Sequence, residues 1–317
     1  MRAPQNLACR TNPVIAELQR RRELLRNGQS LTVRPTRVAL VVEGGGMRGV
    51  VSGGALMALE RLGLSGAFDE VHAESAGAIN ASYFLAGQTE FGSSIYRENL
   101  SSLRFVNPFR VGRILNVDYA IDEVVGKAKR LDTERVRTSP SDFFISLTDT
   151  AKGVRRVIDV RTSETPLLHL LKATSAIVPL YNHPVMIEGV PCADGGIADP
   201  IPVRGAIERH CTHILVLLTR PPEFQPQPFS PVEQFLADRF LASWNKEFVE
   251  AFYTRWQRLR YSQDLAFGRI ERPGTAQIAV ICPSNGSPPV SRITTNPRIL
   301  NSAMLDICQR TVDLFAS

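Results

Sequence analysis

Residues 37–49 read RVALVVEGGGMRG, and this stretch decides the fold class. Its first part, Arg37–Glu43, is a short apolar run rich in β-branched residues, which predicts a buried strand. The run stops at three glycines and is followed by Val50–Leu62, whose apolar residues recur at helical spacing before Gly63. A strand, a glycine-rich turn and a helix in this order indicate the first unit of an α/β sheet.

The same alternation continues along the chain. Further strands or extended segments are predicted at Glu70–Glu74, Ser141–Asp149, Val154–Val160, Pro184–Ile187, His213–Thr219 and Ala276–Cys282, and helices at Ala78–Gly87, Thr165–Thr174, Pro202–Cys211 and Asn296–Phe315. This pattern predicts an α/β protein: a three-layer α/β/α sandwich with a mainly parallel sheet and a helical C-terminal extension. Gly189–Gly196 is predicted to be a turn-rich loop, Pro221–Pro231 a linker or extended edge, and Glu233–Phe267 one long helical stretch.

Composition excludes several classes of protein. The 317 residues are 44% hydrophobic and 21% charged, as in ordinary soluble globular proteins. No run approaches the roughly 18 apolar residues of a membrane span. Five Cys without CxxC spacing, and five His without HExxH, favour neither a metal site nor any cofactor. An odd number of Cys without a secretory signal predicts reduced thiols and a cytoplasmic location.

Positive charge is concentrated at the N-terminus. Residues 1–37 carry eight Arg against Glu17 and Glu23, a net +6 that equals the charge of the whole chain. This composition fits an organelle transit peptide, or an arm that touches anionic lipid or nucleic acid, but a solvated helix near Pro13–Arg26 followed by a linker is the simplest interpretation. The predicted organisation is a basic mobile arm (1–36), a catalytic domain (37–220) and a C-terminal extension packed on the core (221–317).

Ser75 is the first candidate for chemistry. It stands between the strand Glu70–Glu74 and a helix, in the stretch Ala73-Glu74-Ser75-Ala76-Gly77. A serine flanked by small residues at such a turn is typical of a nucleophile elbow, although a serine that only caps the helix fits the local sequence equally well.

The glycine-rich turn allows two interpretations. Gly44, Gly46 and Gly49 also satisfy the G-x-G-x-x-G pattern of dinucleotide-binding sites. That pattern requires an acidic residue at the end of the second strand, where Asp69 and Glu70 come too early. Backbone N–H groups at a helix start bind anions in general, including the oxyanion of an acyl-transfer intermediate.

Asp194 is the third candidate. In the stretch Ala193-Asp194-Gly195-Gly196 it has the composition of an ordinary turn, and Asp199, just before Pro200, competes with it as the relevant carboxylate.

Taken together, Glu43–Gly49, then Glu74–Ala81, then Asp194–Gly196 resemble the three ordered signatures of the patatin-like phospholipases. The resemblance covers roughly residues 37–220. It implies Ser75 as the nucleophile, Asp194 as its base, and an oxyanion hole formed by the backbone of Gly44, Gly45, Gly46, Met47 and Arg48, without a catalytic His, a metal or a cofactor.

The function that this resemblance implies is hydrolysis of carboxylic esters in a lipid, of the phospholipase A or lysophospholipase type, through an acyl-enzyme. Two departures stand in the elbow: Ala73 replaces a glycine, and Glu74 precedes the nucleophile, where it points either inward or towards an Arg. Two alternatives stay open: a catalytically silent lipid- or nucleotide-binding module, and a Ser–His–Asp esterase using His210 or His213.

The expected partner is a phospholipid or another acyl-ester lipid, with peripheral membrane contact and no nucleic acid. The aromatic residues that recur in the predicted C-terminal helix fit either ordinary packing or an amphipathic lid lying on a membrane: Phe235, Phe240, Trp244, Phe248, Phe252 and Trp256.

Overall fold

The computed structural model describes residues 6–29, 31, 36–271 and 273–316. Eight strands form one sheet: β1 (Val38–Val42), β2 (Glu70–Ala73), β3 (Asp142–Asp149), β4 (Val154–Asp159), β5 (Val185–Ile187), β6 (Val190–Asp194), β7 (His213–Leu217) and β8 (Gln277–Ile281). Their order is β5-β6-β3-β2-β1-β7-β8, with β4 paired to β3 outside this path. Five neighbouring strands are parallel to one another: β3, β2, β1, β7 and β8. Strands β4 and β6 run antiparallel to β3.

Helices cover this sheet. They are α1 (Pro13–Arg26), α2 (Gly49–Arg61), α3 (Ser75–Leu85), α4 (Thr89–Ser93), α5 (Ile95–Glu98), α6 (Thr133–Arg137), α7 (Leu167–Thr174), α8 (Val203–Glu208), α9 (Pro231–Leu241), α10 (Lys246–Tyr253), α11 (Arg255–Ala266) and α12 (Pro297–Phe315), with a π-helix at Tyr119–Ala128 and single 3₁₀ turns at Gly46–Arg48 and Gly195–Ile197. None of the described helices combines the length and the apolar character needed to cross a bilayer.

The two faces of the sheet bury different cores. Val38, Leu40 and Val42 of β1 belong to the larger core, which contains the apolar residues of α1, α2, α3 and α12. Ala39 and Val41 point the other way, into a core with α8 and α11. Successive side chains of a strand alternate between faces, so a strand buried on both sides is apolar at every position. The predicted three-layer α/β/α sandwich is therefore confirmed.

Two predicted segments differ from the structure. The predicted loop Gly189–Gly196 contains β6, whose backbone forms a hairpin with β5 and a long-range pairing with β3 that local turn composition does not reveal. The single helical stretch Glu233–Phe267 is broken into α9, α10 and α11. The breaks let Phe248 and Phe252 turn into a third core beside Val178, Ala193 and Ile197.

The helix predicted near Pro13–Arg26 is present as α1, but the prediction that it is solvated is wrong. Val14, Ile15 and Leu18 of α1 are fully buried in the larger core. Arg21 is also fully buried: its guanidinium donates to Glu17 at 2.9 Å, to Asp69 at 2.8 Å and to two backbone carbonyls. Arg21 is one of the arginines that concentrate positive charge in this part of the sequence, yet it is buried and joins α1 to the sheet. Arg2 and Arg34 lie outside the described residues.

We predict that Arg21→Ala destabilises the protein by about 3–5 kcal/mol, because it removes the buried cation that joins the carboxylates of Glu17 and Asp69 and leaves a cavity in its place. Chemical denaturation measures this loss. The matched control is Arg20→Ala, since Arg20 also pairs with Glu17 but is about half exposed, and its removal is expected to cost no more than about 1 kcal/mol. Equal unfolding free energies for the two variants would contradict a structural role for Arg21.

Candidate active site

Ser75 lies at a sharp turn between β2 and α3. Its backbone is left-handed, with φ of 53°, a conformation that costs energy in a residue other than glycine. The Ser75 N–H donates to Thr174 Oγ1 at 2.8 Å, which holds the turn. The space around it accepts only glycine: a Cβ on Gly44 would lie 2.6 Å from Ser75 Cβ, and one on Gly77 would lie 2.5 Å from a β1 carbonyl. This strained strand-to-helix turn is the geometry expected of a nucleophile elbow.

The sheet register explains why Asp194 meets Ser75. On one side of β3, β2 pairs only as far as Ala73 opposite Ile145. Beyond Ile145, the same edge of β3 pairs with β6, which runs antiparallel to it. The last residue of β6, Asp194, pairs with Leu147. The C-terminal ends of β2 and β6 therefore converge on one point, so the residues that follow or end them lie close together although they are 119 positions apart.

Ser75 and Asp194 are joined by a hydrogen bond. The Ser75 hydroxyl donates to Asp194 Oδ2 at 2.7 Å, and the Gly196 N–H donates to the other carboxylate oxygen at 2.8 Å. Both side chains are buried. Burial raises the pKa of Asp194, and the hydrogen bonds from Ser75 and Gly196 partly oppose this. A buried carboxylate with a raised pKa is a stronger base than one in water, which suits it to accept the serine proton.

Only some of the backbone N–H groups in the glycine loop, residues 44–48, are available to bind a ligand beside Ser75. Gly44 N–H donates to Glu74 Oε1 at 2.6 Å, Met47 N–H to the Arg292 carbonyl at 3.0 Å, and Arg48 N–H to the Gly45 carbonyl at 3.2 Å. Within the described residues, the N–H groups of Gly45 and Gly46 have no such partner. Of the five residues predicted to form the oxyanion hole, these two are the ones whose backbone donors are free to bind an anion.

Ser75 lines two cavities of opposite character. One is a cleft of about 330 Å³ that Ser75 shares with Asp194, Glu74 and several arginines. The other is a narrow apolar cavity lined by aliphatic and aromatic side chains, among them Ile79, Leu100 and Phe105, with Gly46 at its wall. Ser75 thus stands where a cleft lined by charged and aromatic residues meets a mainly apolar cavity.

The order of these parts matches a known family. The family model for patatin-like phospholipases matches residues 40–207, more than half of the chain. The chain belongs to the patatin-like phospholipase family. The matched range contains the elbow of Ser75, the glycine loop and Asp194, and members of the family are generally serine esterases or phospholipases.

Two known proteins are similar to this chain. The Escherichia coli protein YjjU, itself uncharacterised, is 29% identical over 215 residues, which cover 66% of this chain and 59% of YjjU. The crystal structure of VipD from Legionella pneumophila superposes with a TM-score of 0.50 at 14% identity, over 88% of this chain and 66% of VipD. The chain therefore spans less than two thirds of either relative, and the VipD likeness concerns the fold alone.

Glu74, the unusual residue before Ser75 in this patatin-like elbow, points inward. It is buried, accepts the Gly44 N–H and lies near Asp194, since a Cβ on Gly196 would be within 3.2 Å of Glu74 Oε2 and 2.8 Å of Asp194 Oδ1. Burial, followed by the charge of Asp194, raises the pKa of Glu74 well above its ordinary value. A neutral carboxylic acid at this position leaves Asp194 as the ionised member of the pair.

We predict that Glu74→Gln keeps activity near pH 7 within about threefold of the parent, because glutamine resembles the neutral acid. In the parent, activity should fall as the pH rises through the raised pKa of Glu74, since its ionised form places a second negative charge beside the developing oxyanion. The glutamine variant should lack this alkaline fall. The rate of hydrolysis of a neutral soluble ester between pH 6 and 10 measures it, with Glu233→Gln at the exposed edge of the cleft as the control. Superimposable profiles for the parent and Glu74→Gln would disprove the role.

The histidines do not reach the pair. His213 begins β7 and pairs with Val38, at the edge where the parallel strands start, whereas Ser75 follows the other end of β2. A strand of four or five residues at about 3.3 Å each puts more than about 13 Å between these edges. His210 lies just before β7 at the starting edge and is exposed. The Ser–His–Asp arrangement is therefore not formed by either candidate.

The dinucleotide interpretation of the glycine loop requires an acidic residue at the end of β2. Glu74 stands there, but it is turned onto the loop itself, where it accepts the Gly44 N–H. Glu70 lies at the starting edge of β2, where it is paired with Arg37, His72 and Arg209. Asp199, the competitor of Asp194, is buried away from the cleft and accepts a hydrogen bond from the Ser146 hydroxyl at 2.8 Å. Neither Glu70 nor Asp199 lines the cleft.

Sequence reasoning missed the wall of the cleft. The segment predicted to be a linker, Pro221–Pro231, lines it with Phe224 and Phe229, and Arg220, Arg255 and Arg292 line it as well. These arginines are 35 or more residues apart in the chain and belong to no motif. The only sequence signal was the density of proline in residues 221–231, which favours a stiff extended segment over a flexible linker.

Proposed function

We propose that the protein hydrolyses an acyl ester of a lipid, in the manner of a phospholipase A or lysophospholipase, through a Ser75–Asp194 dyad. One observation carries the proposal: a serine whose hydroxyl is bonded to a buried carboxylate stands at the junction of a cleft rich in charged groups and a mainly apolar cavity. An ester of a fatty acid has this same division, since its acyl chain is apolar and its alcohol part is polar.

The mechanism follows from the positions of the groups. The Ser75 oxygen attacks the ester carbonyl carbon while Asp194 accepts the serine proton, and the N–H groups of Gly45 and Gly46 stabilise the oxyanion. The C–O bond then breaks, and the leaving alcohol takes the proton from Asp194. Water, deprotonated by Asp194, attacks the acyl-enzyme in the second half, which releases the fatty acid and returns the proton to Ser75.

A panel of p-nitrophenyl esters and short-chain phospholipids tests the proposal, with Ser75→Ala as the control. We expect hydrolysis of carboxylic esters by the parent protein, release of free fatty acid from the phospholipids, and no turnover by the variant. Absence of ester hydrolysis by the folded parent would leave the protein as a silent binding module. Equal hydrolysis by Ser75→Ala would exclude Ser75 as the nucleophile and overturn the dyad.

The proposal includes contact with a lipid surface, made by what we call the apolar rim. Six of its side chains are strongly exposed: Leu103, Phe109, Val111, Val232, Phe235 and Leu236. These residues fall into two parts, 103–111 and 232–236. Asn182 joins the two parts, because its backbone N–H donates to the Gly112 carbonyl and its side chain donates to the Phe240 carbonyl. Phe105 lines the apolar cavity and Phe229 the cleft, so the rim adjoins both. Exposed apolar side chains beside Arg110 and Arg113 are typical of a membrane-facing surface.

We predict that Phe109→Asp combined with Phe235→Asp weakens binding to anionic phospholipid vesicles at least about tenfold, because each Phe loses about 1.5–3 kcal/mol of favourable burial. Hydrolysis of a soluble p-nitrophenyl ester should remain near the parent rate. Vesicle sedimentation measures the first quantity. Leu305→Asp, at a half-exposed apolar site on α12, is the control. Unchanged vesicle binding by the double variant would remove the rim from the proposal.

A further inference from the structure

The cleft beside Ser75 is lined by four arginines with very different partners. Arg220 is neutralised by Glu43, at 2.5 Å. Across residues 6–29, 31, 36–271 and 273–316, no carboxylate lies within salt-bridge distance of the guanidinium of Arg48, Arg255 or Arg292. The Nε groups of Arg48 and Arg292 are buried and have no hydrogen-bond partner in this described part of the chain. Unpaired buried donors are costly, so their presence in a cleft indicates a ligand that satisfies them.

Arg255 and Arg292 are held rigidly where they face the cleft. The Arg255 guanidinium is 4.8 Å from the ring centre of Phe229 and 4.5 Å from that of Phe252. Arg292 is fixed through its backbone, because its carbonyl accepts the Met47 N–H at 3.0 Å. Arg292 is thus positioned against the glycine loop and Arg255 against two aromatic rings, each without an ion pair of its own, which is the preorganisation that anion binding requires.

The acidic residues of the cleft do not balance these cations. Glu43 is engaged by Arg220 and Glu233 caps α9 at the exposed edge, so the single charge of Asp194, which also holds the Ser75 hydroxyl, faces both Arg255 and Arg292. Glu74 is the fourth, and its raised pKa favours the neutral form. Burial, and then the neighbouring charge of Arg292, lowers the pKa of Arg255 to about 9. Cations that destabilise each other in a buried space are stabilised by a bound anion.

We propose that Arg255 and Arg292, which lie outside the family match, are the residues that bind the phosphate group of the ester substrate in the cleft and so set the preference for a phosphate-bearing lipid over a neutral one. This inference rests on the proposed function, since it assigns the polar side of the ester to the cleft while the acyl chain occupies the apolar cavity. Guanidinium groups bind phosphate oxygens with paired, charge-assisted hydrogen bonds, which makes arginine suited to this ligand. The same chemistry would accept free inorganic phosphate, and the experiment separates the two sources.

The first measurement compares two soluble substrates that differ in the phosphate, dihexanoyl phosphatidylglycerol and dihexanoylglycerol, both below their aggregation concentration. We expect kcat/KM of the parent to be higher for the phospholipid than for the diacylglycerol. The ratio of these two kcat/KM values should fall at least about tenfold in Arg255→Gln and in Arg292→Gln, the effect expected when a hydrogen bond to a charged group is lost. The control is Arg260→Gln, on the same helix but half exposed and facing Asp264, which should keep the parent ratio. An unchanged ratio in both cleft variants would overturn the inference.

The second measurement detects binding without turnover. Calorimetric titration of folded Ser75→Ala with hexanoyl glycerol phosphate, and separately with inorganic phosphate, should show the tighter binding for the lipid, and Arg255→Gln in that background should weaken it. Equal affinity for inorganic phosphate would identify a site for free phosphate and overturn the assignment to the lipid.

These two arms keep the inference separate from the proposed function. If the parent hydrolyses both esters equally well, the phosphate site is disproved and the hydrolase stands. If the parent hydrolyses neither ester, the proposed function fails, and the titration alone then decides whether the arginines bind a phosphate-bearing lipid.

Discussion

Ser75→Ala and Asp194→Asn are each expected to lower ester hydrolysis by about 10⁴-fold or more while the protein stays folded, as for members of other serine hydrolase centres. The first removes the attacking oxygen. The second keeps the shape of the carboxylate and its bond to Gly196 but removes the base, so the Ser75 hydroxyl keeps its proton. Turnover of p-nitrophenyl butyrate, with circular dichroism as the test of folding, measures both losses.

Combining the two substitutions should cost little more than either one, because the two side chains act as a unit. A fluorophosphonate should label Ser75 in the parent, label it far more slowly in Asp194→Asn and not at all in Ser75→Ala. Histidine supplies the control: His210→Gln and His213→Gln should stay within a few-fold of the parent, since both side chains lie at the opposite edge of the sheet. A folded His210→Gln or His213→Gln variant as inactive as Ser75→Ala would overturn the dyad.

Gly45→Ala and Gly46→Ala are expected to reduce turnover by about 10²–10³-fold each, the usual consequence of losing an oxyanion donor. Both glycines have left-handed backbones, with φ of 139° and 61°. An added Cβ would lie 2.8 Å from the Arg48 guanidinium at Gly45, and 2.8 Å from the Arg292 carbonyl at Gly46. The methyl group therefore shifts the loop and its free N–H groups away from the position that the oxyanion occupies.

The control for these variants is Gly87→Ala. Gly87 has a similar left-handed backbone, with φ of 66°, but no atom within 4 Å of an added Cβ. It therefore reproduces the backbone strain without touching the loop, and its activity should equal that of the parent. Thermal unfolding measures the strain in all three variants. Full activity in folded Gly45→Ala and Gly46→Ala would exclude the loop from the mechanism.

The C-terminal region is part of the site and not only a cover for the core. Its strand β8 extends the sheet beside β7, residues 221–231 form a wall of the cleft, and the Arg292 carbonyl occupies one of the loop's N–H groups. The Arg292 carbonyl accepts the Met47 N–H, while Glu74 accepts the Gly44 N–H and the Gly45 carbonyl accepts the Arg48 N–H. The N–H groups of Gly45 and Gly46 therefore remain free. A region outside the family match thus shapes the group expected to stabilise the oxyanion.

Local patterns were enough to predict most of the framework. The buried strands, the glycine loop and the elbow of Ser75 are each formed by residues adjacent in the chain, so periodicity and turn chemistry predict them directly. Asp194 was identified by the order of three motifs, not by its own surroundings, in which it resembled an ordinary turn. Even there the strand β6 that carries it was missed, because the pairing that places it in the sheet is with β3, more than 40 residues away, and its local hairpin with β5 has the composition of a turn.

Only the tertiary structure decided which charged groups meet. The sequence by itself determined an α/β/α sandwich with a serine elbow and a glycine loop, since these depend on short-range spacing. It did not determine that Arg21 is buried under Asp69, that Glu74 turns towards Asp194, or that Arg255 and Arg292 stand beside Ser75. Arginine and glutamate are common on solvated surfaces, and their composition does not indicate which of them are buried. Burial and pairing arise from contacts between distant segments, and those contacts give the cleft its charge.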